Sequence, residues 1–334
     1  IDQVTINIGW QAAPFTLPEP DLAELRTGYL AYLRDAYQYL DFRGLPQVEK
    51  IAQQLPLDAV YVPLRARPEA PTGETWLRVA GRVWQGESLP ASEDLDGEEA
   101  AELAGLDGRA PRAEPVPADE ALGQAPALVV LGDPGAGKST LLKVLALALA
   151  RQEEGPLPIL VPLNAYAAAL EEGEISLHDF LAAYFRTRQH RLRDLGPLFD
   201  AALAAGQAVV LLDGLDEVRQ AGLRHTVVER VIDFYVFHRR AGNKFVLSSR
   251  IVGYREARPV AEGLAECTLV DFDEDETTVF VERWTAALER QAQGETAVAR
   301  RDAQREREEL LAAIQGNAGV RRLAANPLLL TILA

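Results

Sequence analysis

One cysteine, four histidines, four lysines and no methionine stand among the 334 residues. The lone Cys267 excludes a disulfide framework and any cysteine-rich zinc module. It fits a reducing compartment, so a cytoplasmic setting is expected. Four histidines leave little material for a histidine-based metal centre. No apolar run is long enough for a transmembrane helix, and no signal peptide is visible. Glycine and proline are near ordinary abundance, at 25 and 20 residues, which excludes collagen-like or repetitive classes. Positive charge is also scarce. Thirty-four bases against 50 acids leave a formal net charge of −16, a balance that repels phosphate backbones. Direct nucleic-acid binding is therefore not expected.

What is present suits a folded chain of about two domains. Hydrophobic residues make up 48% and charged residues 25%, enough to bury a core and exclude wholesale disorder. The chain opens on Ile1 and closes on an apolar run, so both ends are expected to continue in a longer protein.

Val4, Ile6 and Ile8 alternate with polar residues and predict a short strand. Leu22, Leu25, Tyr29, Leu33, Tyr37 and Leu40 follow at helical spacing, with Asp21 placed as the cap. A second helical piece over residues 46–55 leads into Val60-Tyr61-Val62-Pro63-Leu64. Residues 1–85 thus read as a small α-rich module, with Trp76 and Trp84 near its end. Between Glu87 and Glu120 eleven acids face two bases, which predicts a solvated linker over residues 86–125.

From Pro126 the texture changes. Short apolar runs at 128–131, 159–163, 209–212, 245–247 and 269–270 alternate with helical patterns at 138–151, 177–186 and 226–239. Such runs predict an α/β core over residues 126–272, with five parallel strands and helices on both faces. Val279, Phe280, Trp284 and Leu288 then mark an amphipathic helix. Residues 286–310 are strongly charged and read as a helical hairpin arm. Residues 273–334 form a helical extension of the core.

The strongest motif is Gly132-Asp133-Pro134-Gly135-Ala136-Gly137-Lys138-Ser139, followed by Thr140. It fits the phosphate-loop pattern in full, with an apolar strand before and a helix after. Its glycines let successive N–H groups converge on an anion at the helix N-terminus. Lys138 supplies a cation for the β and γ phosphates, and the Ser139 hydroxyl suits Mg²⁺. A second acid for that cation is Asp213, at the end of the run Val209-Val210-Leu211-Leu212. Gly214, Leu215, Asp216 and Glu217 follow. One of Asp216 and Glu217 is placed to orient or deprotonate an attacking water; the alternative is an Asp-Gly turn with a downstream helix cap. A further apolar run ends in Ser248-Ser249-Arg250. Were its strand to lie between the first and third, Arg250 would face the γ-phosphate; otherwise it is a surface arginine pairing with Glu256 or Asp271. Asn326-Pro327 has a plain reading as a helix cap with proline in the first turn.

Together these segments resemble the NACHT family of signal-transduction NTPases, within the wider STAND class. The resemblance spans roughly residues 126–334. It rests on the phosphate loop, on Asp213-Gly214-Leu215-Asp216-Glu217, on Ser248-Ser249-Arg250 and on Asn326-Pro327-Leu328-Leu329-Leu330. It implies a P-loop NTPase with ATP or ADP and Mg²⁺ as cofactors. Lys138 and Ser139 would hold phosphate and metal, and Asp213 would complete the metal site. Asp216 and Glu217 would serve hydrolysis, Arg250 would act as a sensor, and Pro327 would contact the base, with Tyr61 and Val62 touching the adenine. The family rests as an ADP-bound monomer, exchanges to ATP when a sensor region meets its ligand, and self-associates to switch on an effector. The resemblance therefore implies a nucleotide-controlled oligomerisation switch and slow ATPase, in prokaryotic defence or stress signalling, with ligand and effector parts outside these residues.

Two other readings compete. An AAA+-like remodelling ATPase acting on a macromolecule would place a catalytic Glu where Gly214 stands. A small-molecule kinase would need an acceptor pocket and a basic lid; no arginine-rich lid stands out, although Arg300, Arg301, Arg305 and Arg307 form a basic cluster within charged helix.

Overall fold

The computed structural model of this chain describes residues 21–40, 55–68, 114–188 and 194–334. The expectations for Val4 to Ile8, for residues 46–54, for Trp76 and Trp84 and for the acidic residues 86–113 lie outside the described residues.

The principal elements, apart from short helices at Leu57–Val60 and Ile251–Glu256, are in chain order α1 (Leu22–Tyr37), β1 (Arg65–Arg67), β2 (Val116–Pro117), α2 (Ala118–Gln124), β3 (Ala127–Leu131), α3 (Lys138–Ala150), β4 (Leu157–Pro162), α4 (Leu163–Glu172), α5 (Leu177–Arg188) and α6 (Gly196–Ala204). They continue as β5 (Ala208–Asp213), α7 (Ala221–His238), β6 (Lys244–Ser249), β7 (Leu264–Leu269), α8 (Glu274–Gln293), α9 (Ala297–Gly316), α10 (Ala318–Ala324) and α11 (Pro327–Leu333).

The sheet order is β2-β1-β7-β3-β6-β5-β4. The five strands from β7 to β4 run parallel, as the apolar runs predict. β1 and β2 add two antiparallel strands beside β7. At three and two residues they are too short to leave an alternating pattern in sequence. Neighbouring residues of one strand serve opposite faces. Val129 and Leu131 pack with α1, α4, α5, α6 and α7. Leu128 and Val130 pack with α3 and α8 on the other side. Burial on both faces is why these strands are continuous apolar runs.

β7 begins earlier than its apolar run at 269–270 suggests. Glu266 sits within it because its carboxylate takes the Tyr254 hydroxyl and the Arg258 guanidinium, which makes a polar strand residue affordable there. Cys267 beside it is buried, and burial pushes its thiol up to about 12, so it is an inert core residue.

Helix α1 packs on the core. Asp21 accepts from the Ala23 and Glu24 amides, as a cap should. Tyr29 is fully buried, with its ring 5.2 Å from both Phe185 and Phe199. Its hydroxyl donates to the Pro158 carbonyl at 2.8 Å, so α1 closes the open edge of β4. The acidic stretch also folds before residue 125. Val116 pairs with Ala66, and Asp119 and Glu120 fall in the first turn of α2, where negative charge is favourable.

After the sheet, Asp273 and Glu276 form a reciprocal capping box that starts α8. α8 and α9 make the expected charged hairpin, and Phe280 and Trp284 face inward.

Candidate nucleotide site

The sheet order decides where the motifs meet. β6 lies between β3 and β5, with Val130 opposite Ser248 and Leu131 opposite Ser249. The carboxyl ends of three neighbouring strands therefore carry Gly132, Arg250 and Asp213 to one rim, where ligands of such sheets bind.

The phosphate loop leaves β3 and turns into α3. Gly135 has φ 81°, and a Cβ there would stand 2.6 Å from Asn326 Oδ1 and 2.8 Å from Leu328 Cβ. Only glycine meets both the backbone and the packing demand. Lys138 donates from Nζ to the carbonyls of Gly132 at 2.7 Å and Asp133 at 2.9 Å, which folds the side chain back over its loop. Burial holds its ammonium below the usual lysine range, and Arg250 adds to this against the opposing pull of Asp216, Asp133 and Asp213.

Asp213 is oriented by two hydroxyls. Ser139 Oγ donates to its Oδ1 at 3.0 Å and Ser248 Oγ to the same oxygen at 2.5 Å. Ser248 in turn accepts the Gly214 amide at 2.8 Å, with Gly214 at φ 77°. The first acid, the turn after it and the serine of β6 thus form one network. Arg250 pairs with Asp216. Its Nε lies 2.9 Å from Asp216 Oδ2, and its amide donates to Asp216 Oδ1 at 2.9 Å. Glu217 accepts from Asn164 Nδ2 at 2.7 Å. Burial, then the charges of Asp213 and Asp216, raise the Glu217 carboxyl above the usual glutamate range.

The C-terminal helix completes the rim. Asn326 is 4% exposed; its Oδ1 caps α11 at the Leu329 amide, and its Nδ2 donates to the Pro134 carbonyl at 3.1 Å. The Leu328 amide donates to the Gly135 carbonyl at 3.2 Å. One helix start is thereby tied to the phosphate loop.

A cavity of about 500 Å³ opens between these elements. Pro134, Gly135, Gly137, Lys138, Ser139 and Thr140 line it with Asp213, Asp216, Glu217 and Arg250. Tyr61, Val62 and Pro327 line the same cavity. Gly132 and Asp133 contribute carbonyls to Lys138, while Ala136 is 2% exposed beneath the loop. Arg300 and Arg307 lie along the α8–α9 hairpin instead, and Arg307 faces Glu282. The hairpin bases do not line the cavity, so they form no lid over it.

Sequence reasoning missed Asn164, Ser248 as the orienter of Asp213, and Arg224. Arg224 is buried and donates twice to the Val218 carbonyl, bracing the exit of the acidic turn. An arginine three residues into a long helix carries no local signal of that role.

The residues fit a nucleoside phosphate with a divalent cation. A glycine turn leads into a helix start, an ammonium lies over the loop, and a hydroxyl–carboxylate pair lies 3.0 Å apart. The apolar side chains in the lining, Val60, Val62, Phe272 and Pro327 among them, suit a planar base. Residues 127–287 match the NACHT domain.

The chain carries a NACHT domain.

As a P-loop NTPase domain, the NACHT segment makes this a nucleotide-binding NTPase. No curated protein matches the chain. Among solved structures, a replication initiator DnaA bound to AMPPCP and single-stranded DNA is similar at 15% identity and a TM-score of 0.29. The alignment covers 61% of this chain and 61% of that one, and a likeness so slight bears on neither ligand nor substrate. The NACHT segment and its flanks contain no helix long and apolar enough to cross a membrane, among the described residues.

Proposed function

We propose that the chain is a nucleotide-controlled switch. It binds ATP or ADP with Mg²⁺ at the rim of the sheet, hydrolyses ATP slowly, and self-associates when the nucleotide changes. The observation that carries this reading is the tie between Asn326 and Pro134. A phosphate loop joined to a helix outside the sheet gives the nucleotide a lever on that helix.

In this reading Lys138 leaves its own carbonyls for the phosphates, and Ser139 and Asp213 hold the cation. When bound, Mg²⁺ would neutralise charge on the phosphate oxygens and hold them in line. Asp213 needs no rearrangement, because Ser139 and Ser248 already aim its carboxylate. Glu217 orients or deprotonates the attacking water, restrained by Asn164. Arg250, held by Asp216, reports on the γ-phosphate. Pro327, Tyr61 and Val62 enclose the base. Gly214 after the first acid supports slow turnover, because no carboxylate follows Asp213 directly.

A two-state shift from 1:99 to 99:1 needs about 5.5 kcal/mol of differential binding. One charge-assisted contact contributes about 1.5–3 kcal/mol, so Lys138, Arg250 and the Asn326 tie must act together. Mass photometry with ADP and with a non-hydrolysable ATP analogue tests the reading. A mass that rises only with the ATP analogue, alongside slow phosphate release, is expected. A fixed ring with fast continuous turnover would point instead to a remodelling ATPase.

A further inference from the structure

The phosphate loop is gripped from outside on two sides. Gly135 and Gly137 have φ 81° and 89°, a region open mainly to glycine, so the loop supplies little stiffness of its own. A leucine covers each glycine. A Cβ on Gly135 would lie 2.8 Å from Leu328 Cβ, and one on Gly137 would lie 3.0 Å from Leu64 Cδ1. Leu328 belongs to α11, which Asn326 ties to Pro134. Leu64 is buried and immediately precedes Arg65, the first residue of β1.

Arg65 is anchored to the start of α8. Its Nε lies 2.7 Å from Glu276 Oε1, and its Nη2 lies 2.7 Å from Glu276 Oε2 and 2.8 Å from Asp273 Oδ2. Isolated surface ion pairs contribute little. This one is a two-pronged fork on a carboxylate only 16% exposed, a geometry that fixes direction as well as charge. The Val270 amide also donates to the Arg65 carbonyl at 3.0 Å.

Both grips share one support. The residues between β7 and α8 hold Arg65 through Val270 and Asp273, and between those two the Phe272 amide donates to the Ala325 carbonyl at 2.8 Å, next to Asn326. A ring of contacts therefore closes. It runs from the loop through Asn326 to Phe272, on to Arg65 and Leu64, and back to the loop at Gly137.

We propose that Arg65 is a positioning residue for the phosphates. From outside the cavity lining it holds Leu64 against Gly137, one residue before Lys138, so that the turn keeps one shape. A site already shaped binds more tightly, because less ordering is left to the binding step. This rests on the loop holding the phosphates, and it adds to that reading a residue that no sequence motif marks.

Isothermal titration of the whole chain with ADP and with a non-hydrolysable ATP analogue tests it, beside a thermal melt of each protein. Arg65→Gln is expected to weaken both nucleotides about 3- to 10-fold, the worth of one hydrogen-bonded restraint. Arg65→Lys, which keeps the charge and loses the fork, falls between it and wild type. Opening a ring at one point releases most of its restraint. Arg65→Gln combined with Asn326→Asp should therefore lose less than the product of the two separate losses. A purely structural Arg65 would lower the thermal midpoint and leave both affinities at wild type, which overturns the proposal. Losses that multiply in full also overturn it, since independent sites behave that way. Lys138→Ala with undiminished affinity would instead remove the phosphate placement, an outcome separate from any effect at Arg65.

Discussion

Asn326 donates to the carbonyl of Pro134 across 192 residues of sequence, at 3.1 Å, while the same side chain caps its own helix. One amide thus serves two tasks, and two substitutions separate them. Asn326→Asp keeps an N-cap acceptor and loses the donor to Pro134; Asn326→Ala loses both. The alanine variant is expected to lose about 0.5–2 kcal/mol of stability from the cap. The aspartate variant is expected to keep most of its thermal midpoint yet bind nucleotide more weakly. Wild-type affinity in Asn326→Asp would show that the tie does not reach the nucleotide.

Lys138→Ala removes the one ammonium at the phosphate end of the cavity among the described residues. A charge-assisted hydrogen bond is worth about 1.5–3 kcal/mol, so affinity for ATP should fall at least about tenfold by isothermal titration. An unchanged affinity would mean the phosphates lie elsewhere.

Glu217→Gln is expected to retain nucleotide and lose hydrolysis, as is Asp216→Asn. Loss of binding as well would assign the acid to the cation.

The pH dependence follows from Glu217. Its carboxyl is raised above the usual range by burial and by Asp213 and Asp216, and as a base it must be ionised. The rate should fall as pH drops through that raised value, so the acid limb of the kcat profile lies above an ordinary glutamate's. Asn164 donates to the ionised form, which lowers the pKa. Asn164→Ala should move the limb to still higher pH. A limb that stays in place when Asn164 is removed would separate this acid from catalysis.

Tyr29→Phe leaves the Pro158 carbonyl unpaired at the buried junction of α1 and β4. A loss of about 1–3 kcal/mol in urea unfolding is expected, with no change in nucleotide affinity. An affinity that drops with the stability would mean α1 acts on the site itself.

Much of this molecule was legible before folding. The phosphate loop reads as a contiguous motif because a strand, a glycine turn and a helix start are local in the chain. The strands β3, β4, β5 and β6 read as apolar runs because each is buried on both faces, whereas β7, which carries Glu266, shows only at its end. Asp213 stands out because an acid ending such a run needs a partner. Asp21 and Asn326 declare themselves as caps through bonds that span only two or three residues. The tertiary structure alone decided which of these pieces meet. Placing β6 between β3 and β5 is what sets Ser248 on Asp213 and Arg250 beside Asp216. The same holds for the Asn164–Glu217 contact, for the Asn326–Pro134 tie and for α1 along β4. Periodicity and caps report forces acting within a turn or two. Partners 34 to 192 residues apart depend on strand order and on the two-sided burial that selects it, and no stretch of sequence carries that order by itself.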